Sequence, residues 1–477
     1  MPGVRAFVGL GANLGNRLAQ LRAGVRALRG IEGVEVLRTS RLYESAPMYV
    51  EDQPRFLNAA VELKTALTPE ALFVALKQVE EQSGRDFSAV RNGPRPLDLD
   101  LLLYGSEIFD SVLPDGRPLR VPHARMHERA FVLRPLIDLD PGVVPPNSLG
   151  LGPESGRNPL TGDAYPVFPA GGERLWRTDD RTHVMGILNV TPDSFSDGGS
   201  YDSGVACAVE AALKLVEDGA DVVDIGGEST RPGAAEVEVN REIERTVPVI
   251  EELRLQSDVV ISIDTRKAAV AEAAIAAGAD IVNDVSGGAF DAAMLPTVAR
   301  LEAPYILMHM RGTPDTMNAK AAYEGGVVEE VGSEMRAGVG AAEAAGVCSW
   351  DIMLDPGIGF AKKDAAQNLE LLRRLRTFVE CEELSYDPPQ VPCPLLVGAS
   401  RKRFIGELTG ETEAAKRDWG SVGAALAASA GGAFMVRVHN VPGTKQALQV
   451  SLSLGLRLSP NLCLTPTLTL TLRSSTP

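Results

Sequence analysis

Asp98 and Asp100 stand two residues apart in the segment GPRPLDLDLLLYG, alternating with Leu97, Leu99 and Leu101. A strand's period of two puts both carboxylates on one face, roughly 6.6 to 7 Å apart. Two like charges so placed attract cations, and Mg²⁺ commonly takes one or two carboxylates together with substrate phosphates. A solvated acidic strand face would show the same pattern. The preceding loop, however, carries Arg85, Arg91 and Arg95, whose planar forks suit phosphate oxygens. Together these groups fit phosphoryl-type transfer, in which the protein positions and neutralises charge and needs no covalent nucleophile.

A second set of polar residues recurs just past short apolar runs. Asn189 and Thr191 follow the run in GILNVTPDSFSDGG, and Thr230 and Arg231 lie in the polar stretch DIGGESTRPGA. Asp264 ends ISID, Asn283 and Asp284 end IVND, and Asp355 ends IMLD. A lone Asp at such a place usually caps the next helix. As a set, Asp264, Asn283 and Asp355 would satisfy a flat heterocycle with amino and keto edges, because each buried polar group needs its partner. Lys402 in VGASRKRFIG and Arg437 with His439 in MVRVHN add cationic donors suited to an anionic leaving group such as diphosphate.

These residues need elements to hold them. Over residues 4 to about 140 strand and helix patterns alternate, with strands expected at 34–43 and 56–63. A helix carries Leu18, Leu21, Val25 and Leu28 and stops at Gly30, and another opens at Thr68-Pro69. The mixed order suggests a compact α+β sandwich in residues 1–140. Residues 141–180 are rich in Pro and Gly, lose periodicity and read as a linker. From 181 to 450, apolar strands end near Leu188, Ile225, Ile263, Val282, Leu307, Leu354, Val397 and Val436, with Ala-rich helical stretches between most of them. Eight such units match a (β/α)8 barrel, whose strand ends converge on one mouth. Residues 451–477 alternate Leu and Thr in a strand-like, low-complexity pattern, so the last barrel helix is expected to be cut short.

Composition excludes several function classes. The formal charge of −16 repels polyanions, which argues against nucleic-acid and anionic-membrane partners. Cys207, Cys348, Cys381, Cys393 and Cys463 show no paired spacing for a disulfide framework or zinc site. No run approaches the roughly 20 apolar residues of a membrane span. The expected setting is cytoplasmic, or mitochondrial if an N-terminal extension is missing.

The segments GLGANLGNR, YESAPM, DQPRFLNAAVEL, GRDF, RNGPRPLDLDLLLYG and VPHARMHERAFVLRPL resemble the motif series of 6-hydroxymethyl-7,8-dihydropterin pyrophosphokinase. The resemblance implies a ferredoxin-like domain that transfers diphosphate from ATP to the pterin hydroxymethyl. It implies Asp98 and Asp100 as ligands of Mg²⁺, Arg85 and Arg95 on phosphates, and Glu80, His123 and Arg129 near the nucleotide. Asn58 would bind the pterin edge and Phe131 stack on the ring, with Phe56, Ser45 and Pro47 lining the pocket. From about His183 to Val450 the strand-end motifs are similar to those of dihydropteroate synthase, implying displacement of diphosphate by para-aminobenzoate. There Asp264, Asn283, Asp355 and Lys402 would hold the pterin, Asn189 bind Mg²⁺, and Arg437, His439 and Arg231 hold diphosphate. Thr230, Phe360, Ser400 and Lys402 would flank the arylamine, and family members of this barrel type dimerise. Asn92 stands where many relatives have an aromatic residue, and Asn440 where Asp is common. A corrinoid methyltransferase-like barrel, or a non-catalytic pterin-binding remnant, would share part of the barrel pattern.

Overall fold

The computed structural model describes residues 3–88, 92–143, 163–191, 201–229, 236–313, 316–380 and 393–456, with backbone alone at 143, 201–203 and 380. The N-terminal region runs β1 (Val4–Ala12), α1 (Arg17–Arg29), β2 (Val34–Thr39), β3 (Leu42–Ser45), β4 (Phe56–Thr65), α2 (Pro69–Gln82), β5 (Asp98–Tyr104), β6 (Phe109–Val112), β7 (Pro118–Val121) and α3 (Ala130–Leu139). The helix limits follow their caps. Asn16 accepts the Ala19 N–H, Gly30 closes α1, and Thr68 accepts the Ala71 N–H with Pro69 in the first turn. Antiparallel strands stack in the order β5-β1-β4-β3, with β2 beside β3 on the same edge of β4.

The pleat sorts side chains between two cores, as a period of two requires. Val8, Leu10, Ala59 and Val61 pack under α1 and α2, while Phe7, Ala60 and Leu102 pack against Leu133 and Leu136 of α3. This is the expected α+β ferredoxin-like domain. The single strand expected at 34–43 is broken at Ser40. Its hydroxyl accepts the Ala60 N–H at 2.9 Å where a backbone carbonyl would normally stand, so β2 and β3 run in shifted registers, Thr39 opposite Val61 but Tyr43 opposite Asn58.

The expected linker also needs correction. Within 141–180 the chain forms a hairpin, β8 (Ala164–Pro169) and β9 (Leu175–Arg177), which extends the N-terminal sheet beyond β3. Tyr165 and Val167 face the N-terminal core, whereas Phe168 and Ala170 face a different cluster containing Met185, Val222, Val260, Ile281, Ile306, Met353, Leu396 and Met435. Each of those eight belongs to a different barrel strand, so the hairpin plugs the barrel floor. Phe168 meets Phe434 edge-on at 5.8 Å, and Trp176 stacks on His183 at 4.1 Å. Gly171 at the tip (φ 102°) lies so close to Asp280 that an added Cβ would sit 2.1 Å from its carboxylate.

The barrel follows as β10 (His183–Asn189), α4 (Tyr201–Glu217), β11 (Val222–Gly226), α5 (Val239–Gln256), β12 (Val260–Asp264), α6 (Ala268–Ala276), β13 (Ile281–Asp284), α7 (Met294–Leu301), β14 (Tyr305–Met308), α8 (Val327–Ala344), β15 (Ile352–Asp355), α9 (Ala365–Arg373), α10 (Leu375–Glu380), β16 (Leu396–Val397), α11 (Arg403–Thr409), α12 (Asp418–Ala430), β17 (Met435–Val438) and α13 (Val441–Ser453). Neighbouring strands are parallel throughout, and a Leu354–Leu395 bridge closes the ring between β15 and β16. The last helix is not cut short. Asn440 caps α13 by accepting the Gly443 N–H, a task Asp performs equally, and Thr444, Leu448 and Ser451 are buried along one face. The N-terminal domain docks beside the floor: Trp350 and Cys348, in the segment before β15, pack into its core, and Ser349 N–H donates to Thr39 Oγ1 at 2.9 Å. The barrel mouth therefore lies at the far ends of the strands.

Candidate active sites

β5 and its flanking loops build the first site, a cavity of about 510 Å³, within the usual range for small-ligand pockets. Ser45, Phe56, Asn58, Arg85, Arg95, Asp98, Asp100, His123, Arg129 and Phe131 all line it. Arg85 Nη1 donates to Asp98, and Arg95 Nη1 lies 3.4 Å from the other Asp98 oxygen. Burial works against the Asp98 charge, yet Arg95, Arg85 and Lys77 together hold the carboxyl below its usual range. Asp100 lies 3.8 Å from Lys77 Nζ. Two hard carboxylates on one wall, with cations on either side, suit a divalent ion shared with phosphates.

Two expected residues are placed differently. Pro47 is absent from the lining, which takes Ser45, Ala46 and Met48 instead. Glu80 is fully buried behind the wall: its carboxylate accepts from Lys77 Nζ at 2.7 Å and from the Leu99 N–H at 2.6 Å, and pairs with Arg85 at 2.8 Å. It therefore fixes β5 and Arg85 and does not face the cavity. Burial, with Asp98 adding, pushes its carboxyl up.

Asn58 donates both amide hydrogens inward, to Tyr43 O at 3.2 Å and Ser45 Oγ at 3.0 Å, which leaves Oδ1 as the acceptor on the cavity side. Burial lowers the His123 imidazole, so the ring is neutral, and Nδ1 accepts the Arg125 N–H at 3.4 Å. Asn92 adopts φ 63°, a left-handed conformation that Asn tolerates better than an aromatic residue. Its carbonyl accepts from Gln53, whose own Oε1 accepts from Asn13 at 3.0 Å. Asn13 and Gln53 thus strap the cavity loops together. Asn13 lies in GLGANLGNR and Gln53 in DQPRFLNAAVEL, whereas Lys77 is marked in the sequence only by its position one turn before Glu81.

The second site is a cavity of about 720 Å³ at the barrel mouth, and Asn189, Asp264, Asn283, Asp355, Phe360, Ser400, Lys402, Arg437 and His439 all line it. Thr230 and Arg231, like Arg91, lie outside the described residues. Arg437 anchors the interior through Nε to Asp224 and Nη2 to Asp264, each at 2.6 Å, and Asn283 Nδ2 donates to Asp224 at 3.1 Å. Among the described residues, carboxylates engage two of the five guanidinium N–H groups there. Asp224, fully buried in mid-strand, escapes a search confined to strand ends; an Asp inside the apolar run VVDIG is its only trace.

Burial, aided by neighbouring Asp224 and opposed by Arg437, pushes the Asp264 carboxyl up to about 7. Burial likewise raises Asp355, against the pull of Lys402 and the Gly357 N–H, which donates to Asp355 Oδ1 at 2.7 Å. Lys402 is drawn down to about 8 by burial and lies 4.3 Å over the Phe360 ring. Ser400 Oγ and His439 Nδ1 share a hydrogen bond of 2.9 Å. Asp284 belongs to the scaffold: its carboxylate accepts from Ser286, Gly288 and the Tyr305 hydroxyl.

Residues 7–141 match the family described as 7,8-dihydro-6-hydroxymethylpterin-pyrophosphokinase, and residues 185–439 match the family described as pterin binding enzyme. A mitochondrial folate synthesis bifunctional protein of Arabidopsis thaliana is 42% identical, over 93% of this chain and 82% of its own length. A mitochondrial protein of the same description from Pisum sativum is 40% identical over 93% of this chain and 88% of its own. Among solved structures, Xanthomonas albilineans dihydropteroate synthase in complex with 7,8-dihydropteroate is 41% identical, with a TM-score of 0.52 over 61% of this chain and 99% of its own. A Plasmodium falciparum HPPK-DHPS variant with pteroate shares the fold at a TM-score of 0.75 and 22% identity, over 96% of each chain.

Proposed function

The chain belongs to the family of bifunctional folate-synthesis proteins, and from that premise we propose how its own residues divide the two reactions. The enzyme transfers diphosphate from ATP to 6-hydroxymethyl-7,8-dihydropterin, then condenses the pterin diphosphate with para-aminobenzoate to give 7,8-dihydropteroate. We assign the first step to residues up to 140 with the hairpin of β8 and β9 as their edge, and the second to the barrel through α13. The observation that carries this division is the pair of separate cavities, one holding Asp98 and Asp100 between arginines, the other holding Asp264, Asp355, Lys402 and Arg437.

In the first cavity Asn58 Oδ1 accepts from the amino edge of the pterin, and Phe56 and Phe131 flank the ring. Arg85, Arg95 and Arg129 contact phosphate oxygens, with neutral His123 as a further donor. Glu80 positions Arg85. Asp98 and Asp100 would hold Mg²⁺, which would supply charge neutralisation to the phosphate oxygens. The chain's contribution is alignment and charge, so removing one member should lower turnover without changing the reaction.

At the barrel mouth Asp264, Asn283, Asp355 and Lys402 hold the pterin, whose donor edge favours the ionised forms of carboxylates that burial alone would protonate. Arg437 and His439, with Arg231, hold the diphosphate as the carbon–oxygen bond breaks. Phe360, Ser400, Lys402 and Thr230 flank the arylamine, whose nitrogen forms the new bond to the methylene carbon. Among the described residues Asn189 offers a single oxygen ligand, so Mg²⁺ at this mouth would be held chiefly by the diphosphate and water. Exposed apolar side chains on α12 and α13, Trp419 and Val450 among them, support a homodimer through the barrel, which light scattering of Trp419→Glu would test. Among the described residues no helix is long and apolar enough to cross a membrane, and the plant relatives' names support a mitochondrial setting. The pterin assignment is tested by Asn58→Ala, expected to raise KM for the pterin alcohol about tenfold with KM for ATP unchanged. Equal effects on both substrates would contradict it.

A further inference from the structure

The turn that presents Phe360 to the barrel cavity is bent into a conformation that most residues avoid. Gly357 (φ 67°), Gly359 (φ 79°) and the non-glycine Ala361 (φ 50°) all lie in the left-handed region. A left-handed alanine persists only where its surroundings over-determine it. Three contacts do so here. Asn368 Oδ1 accepts the Gly359 N–H at 2.6 Å, the Tyr323 hydroxyl donates to Ala361 O at 2.9 Å, and Lys362 Nζ donates to Pro356 O at 2.8 Å across the base of the turn.

Lys362 is 3% exposed, and among the described residues no carboxylate forms an ion pair with it. Burial pushes its amine well below the ordinary value against the pull of Asp355, and methionine would fill similar space without that cost. Its second partner is His309 Nδ1, at 3.0 Å, and His309 Nε2 lies 2.9 Å from Glu334 Oε2 on α8. Burial, with Lys362 adding, pulls the His309 imidazole down to about 4, so the neutral ring accepts at Nδ1 and donates from Nε2. Donation therefore runs one way, from the cavity wall to the outer helix. Glu334 also accepts from Arg311 at 3.0 Å, and Arg311 lies 4.0 Å over the ring of Tyr323, the residue that holds Ala361 O. Two of the turn's three anchors thus converge on Glu334.

We propose that Lys362, His309 and Glu334 form a positioning chain for the synthase pocket, locking the 356–364 turn so that Asp355 and Phe360 keep their binding geometry. The inference rests on the reading that Asp355 holds the pterin and Phe360 flanks the arylamine. Lys362 lines the cavity itself, whereas His309 and Glu334 stand behind its wall. The turn would lose register from beneath, because Gly357 lies directly on the His309 backbone: an added Cβ would sit 2.1 Å from His309 O.

The test is steady-state synthase kinetics of the full chain, with preformed pterin diphosphate and para-aminobenzoate, for Lys362→Met, Glu334→Gln, the double variant and Asp355→Asn. Lys362→Met is expected to raise KM for both substrates about tenfold while kcat changes less than about threefold. Glu334→Gln, a partly exposed site that leaves the core intact, is expected to raise both KM values about threefold, and the double variant to match Lys362→Met alone. Should Lys362→Met not fold, the Glu334→Gln shift alone decides. Unchanged KM values in Glu334→Gln, effects that multiply in the double variant, or a fall in kcat with KM untouched would overturn the proposal. Asp355→Asn reports on the premise: no change in its KM for pterin diphosphate removes the pocket reading, whereas a rise there with Glu334→Gln silent removes only the positioning chain.

Discussion

Replacing Asp264 with Asn should stabilise the protein increasingly as pH rises, while weakening its hold on the pterin. The carboxyl is pushed from its ordinary 3.8 up to about 7, chiefly by burial. Below 3.8 it is protonated in both folded and unfolded chains and has no effect on stability. Between 3.8 and about 7 the unfolded chain releases this proton and the folded chain keeps it, so stability falls with rising pH; above about 7 the loss is complete. Charging Asp264 in the fold therefore costs about 4 kcal/mol relative to the unfolded chain. Roughly 2 kcal/mol of that is already present at pH 5, so the stability of Asp264→Asn relative to the parent should rise by roughly 2 to 3 kcal/mol between pH 5 and pH 8.5. Comparing two pH values cancels the pH-independent effect of disturbing the contact with Arg437. Urea denaturation of both proteins at both values measures it. A difference that stays constant with pH, or shrinks as pH rises, would refute the account of Asp264.

Further substitutions probe the scaffold. Asn440→Asp should leave stability within about 0.5 kcal/mol, since both side chains cap α13, whereas Asn440→Ala should cost about 1 kcal/mol in a thermal melt. Trp176→Ala, which unstacks the hairpin from His183 at the barrel floor, should cost roughly 3 kcal/mol and leave KM at both sites unchanged. Glu80→Gln should lower pyrophosphokinase turnover through Arg85 with no effect on synthase activity, read by separate assays of AMP release and dihydropteroate formation.

The barrel was legible because its strands are buried on both faces and read as short, nearly continuous apolar runs; the expected ends at Leu188, Ile263 and Val397 fall within one residue of those observed. Caps at Asn16, Thr68 and Gly30 fixed α1 and α2 through purely local chemistry. The hairpin of β8 and β9 was not legible, because its Pro and Gly residues carry the signature of a linker and its alternate side chains serve two different cores. Its stability comes from partners such as Phe434 that are distant in sequence. The same reason hid Asp224, whose ligand-side partner Arg437 is 213 residues away, and Lys362, whose partner His309 is 53 away. Strand-end polar residues could be found from spacing; buried polar groups whose partners lie far along the chain could not. The abrupt Leu/Thr pattern after 450 likewise obscured a helix that continues to Ser453 on Thr444, Leu448 and Ser451.

The central claim, two activities at two separate sites in one chain, is tested most directly with Asp98→Ala. Supplied with ATP, Mg²⁺, hydroxymethyl-dihydropterin and para-aminobenzoate, the parent protein should release AMP and form dihydropteroate. Asp98→Ala should do neither, yet form dihydropteroate at the parent rate from preformed pterin diphosphate. Loss of synthesis from the preformed diphosphate as well, or undiminished AMP release, would contradict the account.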